Sequence, residues 1–188
     1  SQVFHLHNTA NRPITVVYKK LPQKDISDVN AILEVDETDH VMSHKLFDKA
    51  AGDELLNMST DIFVVDTPWL IERLEEHPEK LRYVLRDLAV KEGAFAYEYT
   101  GYLANIHSVQ SYYQANKDML ESQKFYSLFT PNQKVYTKVK NEEPTYYANT
   151  SKVHTSQFAS GSIIEGEVIH SVLSRNIYVH QDSSIKDS

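Results

Sequence analysis

The residues with the most chemistry in the shortest span are Asn105-Ile106-His107-Ser108. An amide, an imidazole and a hydroxyl fall within one turn, between a short strand-like run and a helix-like one. That is where α/β enzymes commonly present groups to a ligand. Asn105 can satisfy its own backbone in an Asx turn. His107 has the pKa range of a general base, but no carboxylate adjoins it in sequence to orient the ring, so a satisfied surface imidazole is the plainer assignment. Elsewhere, His5 and His7 alternate as strand-borne metal ligands would. Glu72, Glu75, Glu76 and Glu79 form an acidic run of the kind that usually faces solvent.

The elements that must position these residues read as an α/β layered domain. Ile14–Lys19 is a β-branched strand, and Ala31–Asp36 with Val41–Phe47 forms a hairpin across the turn Asp36-Glu37-Thr38-Asp39. Ile62-Phe63-Val64-Val65 is a continuous apolar run, as in a parallel strand buried on both faces. Thr67-Pro68 starts a helix. Leu81, Val84, Leu85, Leu88 and Ala89 give a second helix that ends at Gly93. Ala94–Tyr99 and Tyr102–Ile106 are expected as strands. Val109, Tyr112, Tyr113, Met119 and Leu120 give the helix after Ser108 one apolar face.

Three segments follow from this pass: an α/β unit over 1–130, a linker over 131–147, and from 148 a stretch without helical signal. There Val153 and Ala159, and then Leu173, Val179 and Ile185, recur six apart, the period of a parallel β-helix. Residues 1–130 carry 13 Lys and Arg against 20 Asp and Glu, and residues 131–188 carry 6 against 6, so the whole net charge of −7 lies in the first segment. An acidic chain argues against a broad nucleic-acid footprint. No apolar run reaches the roughly 20 residues of a membrane span. The absence of Cys excludes disulfides and thiolate chemistry, in keeping with a cytoplasmic location. The five glycines form no phosphate-cradling loop, and the six-residue repeat is still running at Ser188; the chain reads as an internal piece of something longer.

Several motifs, taken together, resemble the sugar-nucleotide pyrophosphorylases, above all the bacterial glucose-1-phosphate adenylyltransferases. Gly101–Leu120 is similar to their Tyr-Trp-x-Asp-Val-Gly-Thr segment and the helix after it. Ser59-Thr60-Asp61-Ile62-Phe63 is similar to Ser-Met-Gly-Ile-Tyr, and Ser162–Ser188 to their β-helix. The resemblance implies a nucleotidyltransferase-like mixed-sheet domain followed by the start of a left-handed parallel β-helix. It also implies a sugar-phosphate contact through Ser59, and magnesium held by an Asp at the place of Asn105. Here that carboxylate is an amide. The family's Glu-Lys-Pro, whose Lys grips the sugar phosphate, corresponds to about Leu46-Phe47-Asp48. Magnesium binds through one or two carboxylates plus substrate phosphate, and an amide brings no charge.

These departures make the chain most similar to the partner subunit of the two-subunit bacterial enzymes, which modulates a catalytic subunit and has little activity itself. The expectation is a regulatory subunit in glycogen synthesis, with Ser59 and Asn105 as vestigial sugar-phosphate contacts and no catalytic residue. Its partner would be a catalytic subunit of the same enzyme, and no nucleic acid or membrane is involved. A competent nucleotidyltransferase and a non-enzymatic module that senses glucose 1-phosphate are the alternatives.

Overall fold

The computed structural model describes residues 2–48, 52, 54–76, 80–129 and 135–188, and shows a mixed α/β protein. Pro131, Glu79 and the start of the linker (131–134) lie outside the described residues. The chain divides into two compact units, Ser1–Thr100 and Gly101–Ser188, a division well before the composition shift at residue 131.

The first unit is built on a five-stranded sheet. Its strands are β1 (Ile14–Pro22), β2 (Ala31–Val35), β3 (Val41–Leu46), β4 (Leu55–Val65) and β5 (Phe95–Glu98), in the order β3-β2-β4-β1-β5. Only β1 and β5 are parallel; β4 runs antiparallel to β1 and β2, and β2 to β3. The expected hairpin is therefore present. Asp36 Oδ1 accepts from the backbone N–H of Thr38 (2.8 Å) and of His40 (2.9 Å), so the turn holds itself. Helix α1 (Gln2–Thr9) precedes the sheet, while α2 (Thr67–Glu76) and α3 (Leu81–Lys91) lie between β4 and β5. Leu85 and Ala89 of α3 pack on Ile14, Val16 and Tyr18 of β1, and Trp69 and Leu70 of α2 join that core. The run Ile62–Val65 is corrected by this topology. It pairs antiparallel with β1 and is only half-buried, with Ile62 exposed and Phe63 and Val65 packed on the core, so its apolar continuity does not mark a parallel strand buried on both faces.

The second unit holds α4 (Val109–Asp118), α5 (Ser122–Leu128) and eight short strands. These are β6 (Tyr146–Tyr147), β7 (Lys152–His154), β8 (Gln157–Phe158), β9 (Ile163–Ile164), β10 (Glu167–Ile169), β11 (Val172–Leu173), β12 (Tyr178–Val179) and β13 (Ser184–Lys186). They form three parallel sheets, β12-β9-β6, β11-β8 and β13-β10-β7. Stacked residues are fifteen or seventeen apart: Val153, Val168 and Ile185 align, as do Phe158 and Leu173, and Tyr147, Ile164 and Val179. The interior contains Ile164, Val168 and Val179 with Val153, Phe158, Leu173, Ile177 and Ile185. Phe158 therefore fills the slot that the six-residue spacing gave to Ala159.

Candidate functional site

In the first unit, Ser59 lies on β4 opposite Tyr18, where the β1–β4 register slips. Val17 pairs with Ile62 and Tyr18 with Ser59, which leaves Thr60 and Asp61 as the extra residues of a β-bulge. Asp61 takes a φ of 56° to make the bend. Three local bonds close it. Thr60 Oγ1 donates to the Val17 carbonyl (2.8 Å) and accepts from Ile62 N–H, and Ser59 Oγ accepts from Asp61 N–H (3.3 Å). Ser59 is fully buried, and its hydroxyl serves the bulge.

The end of the hairpin is more open. A groove of about 410 Å³ runs beside the end of β3 and the start of β4, lined by Lys45, Leu46, Phe47, Asp48, Glu54 and Asn57 among others. Leu46–Asp48 were expected to leave the place of a sugar-phosphate lysine empty of cations. The structure puts Lys45, one residue earlier, in the same groove. Motif matching passes over Lys45 because it lies one residue before the matched Leu46–Asp48, and its place at the end of β3 is the signal that points to it. Gln23 also lines this groove, and its Oε1 is buried with no hydrogen-bond partner among the described residues.

In the second unit, the segment 101–108 belongs to no strand among the described residues, which corrects the strand expected at Tyr102–Ile106. Its order comes from side chains instead. Tyr102 donates its hydroxyl to Asp118 Oδ2 (3.0 Å), and Lys124 donates to Asp118 Oδ1 (2.8 Å). Burial, and then the anionic Asp118, push the Tyr102 phenol up to about 12. For Asp118, burial raises the carboxyl pKa, but hydrogen bonds from Lys124, Gln114 and Tyr102 outweigh it and hold the group below the usual carboxylate range. Asn105 is half-buried, with its backbone carbonyl 3.1 Å from His107 Nδ1. Helix α4 then starts on a reciprocal cap: Ser108 Oγ accepts from Ser111 N–H (3.1 Å), and Ser111 Oγ accepts from Ser108 N–H (2.9 Å). The expected apolar face of α4 is corrected too. Val109 is 86% exposed and Tyr112 58% exposed, while the one buried residue of α4 is Lys117.

The carboxylate tied to this segment, Asp118, accepts from both Lys124 and Tyr102. His5 and His7 lie on helix α1, so they do not alternate as on a strand. His7 is buried, with Nδ1 2.9 Å from Thr15 Oγ1 and Nε2 3.5 Å from Asp66, and it ties α1 to the sheet. Among the described residues no three His, Asp or Glu side chains form a group that could hold a metal ion. No helix of the described residues is long and apolar enough to cross a membrane. Ser59 belongs to one compact unit and Asn105 to the other.

No family model matches the chain. Individual proteins do. The glycogen biosynthesis protein GlgD of Bacillus subtilis (strain 168) is 34% identical over 132 residues, 68% of this chain and 38% of that protein. The glucose-1-phosphate adenylyltransferase of Clostridioides difficile (strain 630) is 36% identical over 96 residues, 51% of this chain and 25% of that enzyme. That of Bacillus mycoides (strain KBAB4) is 29% identical over 193 aligned positions, 98% of this chain and 50% of the enzyme. The chain thus spans half or less of each of these relatives. Aligned along almost its whole length with one adenylyltransferase and over two thirds of it with GlgD, the chain belongs to the glucose-1-phosphate adenylyltransferase family.

Proposed function

We propose that the protein is a regulatory subunit of a glucose-1-phosphate adenylyltransferase of glycogen synthesis, cytoplasmic, with little activity of its own. A catalytic subunit of the same enzyme is its partner. The observation that carries this reading is the chemistry around Asn105. An amide takes the place where the family resemblance puts a metal-binding carboxylate, and the carboxylate tied to the same segment, Asp118, is bonded to Lys124. Charge that develops on a transferred phosphoryl group would find no divalent ion held here, a deficit of several kcal/mol in transition-state stabilisation. The similarity to GlgD supports the same reading. Ser59, buried in the bulge, acts as a vestige that shapes the sheet, and the groove beside Lys45 is where a sugar phosphate would bind without turnover.

The stacked strands of the second unit are the start of a left-handed parallel β-helix in this proposal. Its support is the set of three short parallel sheets, stacked every fifteen to seventeen residues around a thin apolar interior. The stretch from 131 that leads into β6 is the linker from the nucleotidyltransferase-like part.

The experiment is a mixing assay on the whole protein. ADP-glucose synthesis from ATP and glucose 1-phosphate is measured for the protein alone, for the catalytic subunit from the same source alone, and for the two together. Negligible synthesis alone with a changed rate or KM in the mixture is expected. Full activity of the isolated protein overturns the proposal. Binding of glucose 1-phosphate by calorimetry, with neither turnover nor any effect on the catalytic subunit, would favour the sensing module instead.

A further inference from the structure

Lys117 is the one buried residue of α4, a long cation only 6% exposed, and nothing in the proposed reaction needs it. Its ammonium is surrounded by groups from two successive layers of the stacked strands. It donates to the backbone carbonyl of His170, lies 3.5 Å from Asp187 Oδ1, and sits 5.6 Å from the centre of the Tyr113 ring. Asp187 is held from the other sides as well. His170 Nδ1 is 2.6 Å from Asp187 Oδ1, and Tyr113, one turn before Lys117 on α4, donates its hydroxyl to the Asp187 backbone carbonyl (2.6 Å). Both coil residues are left-handed, with φ of 46° at His170 and 51° at Asp187, so each sits at a corner where the chain turns from one sheet to the next. A buried ammonium that lost these partners would be strongly destabilising, so the contact is made fully or not at all.

The other end of the same helix is the Ser108–Ser111 cap, which fixes the backbone immediately after Asn105. An α-helix of ten residues is stiff over its length, so a shift at Lys117 moves the cap. We propose that Lys117 is a latch that couples the register of the two coil layers carrying His170 and Asp187 to the Asn105–Ser108 turn. A partner that displaces the corner at Asp187 thereby loosens the turn, without touching it. The use of the latch rests on the regulatory reading above; its existence does not.

Hydrogen exchange of the intact chain, read by mass spectrometry, tests the latch without substrate or partner, so its failure is distinct from failure of the regulatory reading. In Lys117→Met, peptides over 105–113 and over 168–188 should both exchange faster, each by about tenfold, while those over β1 and β5 stay unchanged. Tyr113→Phe, a milder change that removes one hydroxyl, should raise the same two regions together by a smaller factor. If Lys117→Met does not fold, Tyr113→Phe and an acid titration of the unaltered chain carry the test. The groups facing the latch are Lys117, Asp187, His170 and Tyr113. Protonation of Asp187 at low pH should open both regions in step, after correction for the intrinsic exchange rate. Faster exchange in one region with the other unmoved, in either variant or in acid, overturns the coupling.

Discussion

Arg86 holds Asp61 with both prongs of its guanidinium, Nε to Oδ1 at 2.8 Å and Nη2 to Oδ2 at 2.7 Å. The arginine is almost completely buried on α3, and it also donates to the Val29 carbonyl (3.3 Å). Arg82 stands 3.8 Å from the same carboxylate. Asp61 is the left-handed residue of the bulge, at the position where the resembling motif has Gly. A side chain there costs roughly 1–2 kcal/mol in backbone strain, and the bidentate pair offsets it.

Removing one partner should therefore be far worse than removing both. Asp61→Ala leaves a buried guanidinium unpaired and should cost about 3 kcal/mol, the low end for a broken buried pair because Asp61 is about a quarter exposed. Asp61→Gly with Arg86→Leu should recover most of that loss. Urea unfolding of the three proteins measures it, and a double variant as unstable as Asp61→Ala would contradict the account.

Gly166 has a steric reason to be glycine. A Cβ built there would run into the backbone carbonyl oxygens of His180 and Ser183, which cannot swing aside as a side chain can. Gly166→Ala should destabilise the C-terminal layer by about 3 kcal/mol. Limited proteolysis should then cut within 180–188 while the sheet of the first unit stays protected.

The Tyr102–Asp118–Lys124 corner has a definite pH dependence. The folded carboxyl of Asp118 titrates below its unfolded value, so its contribution is present above the unfolded pKa, near 3.9, and is lost as pH falls through the lower folded value. Exchange of the amides of α5 should accelerate on acidification through that window, and Lys124→Met should remove much of the acid sensitivity.

Asn105→Asp restores a carboxylate without restoring a site. With Asp118 committed to Lys124 and Tyr102, one added carboxylate is not expected to rebuild a magnesium site, and ADP-glucose synthesis by the whole protein should change by less than about tenfold. A gain of several hundredfold would mean that the site is otherwise intact.

The strong periodicities were legible in the sequence. The hairpin across Asp36–Asp39 and helix α3 with its buried Val84, Leu85, Leu88 and Ala89 formed as their patterns dictate. Two other features were hidden because tertiary partners decide them. Ile62–Val65 reads as a parallel strand until its pairing with β1 is known. Val109 and Tyr112 read as a core face until a buried lysine is found to hold the helix instead. At the site, the cap at Ser108 follows from local spacing, whereas the burial of Ser59 depends on a bulge that no local pattern announces.

The corners of the stacked strands carry a consequence of their own. Ser156 Oγ receives the N–H of Ser171, and Ser171 Oγ receives the N–H of Ser188, although fifteen residues separate the first pair and seventeen the second. The surplus pair is taken up between Val179 and Ser184, where the chain doubles back with Ser183 N–H on the His180 carbonyl. Hydroxyl hooks at the vertices thus keep the rungs aligned whatever the length of the arc between them. Insertions in this protein's relatives should collect on those arcs and spare the vertices.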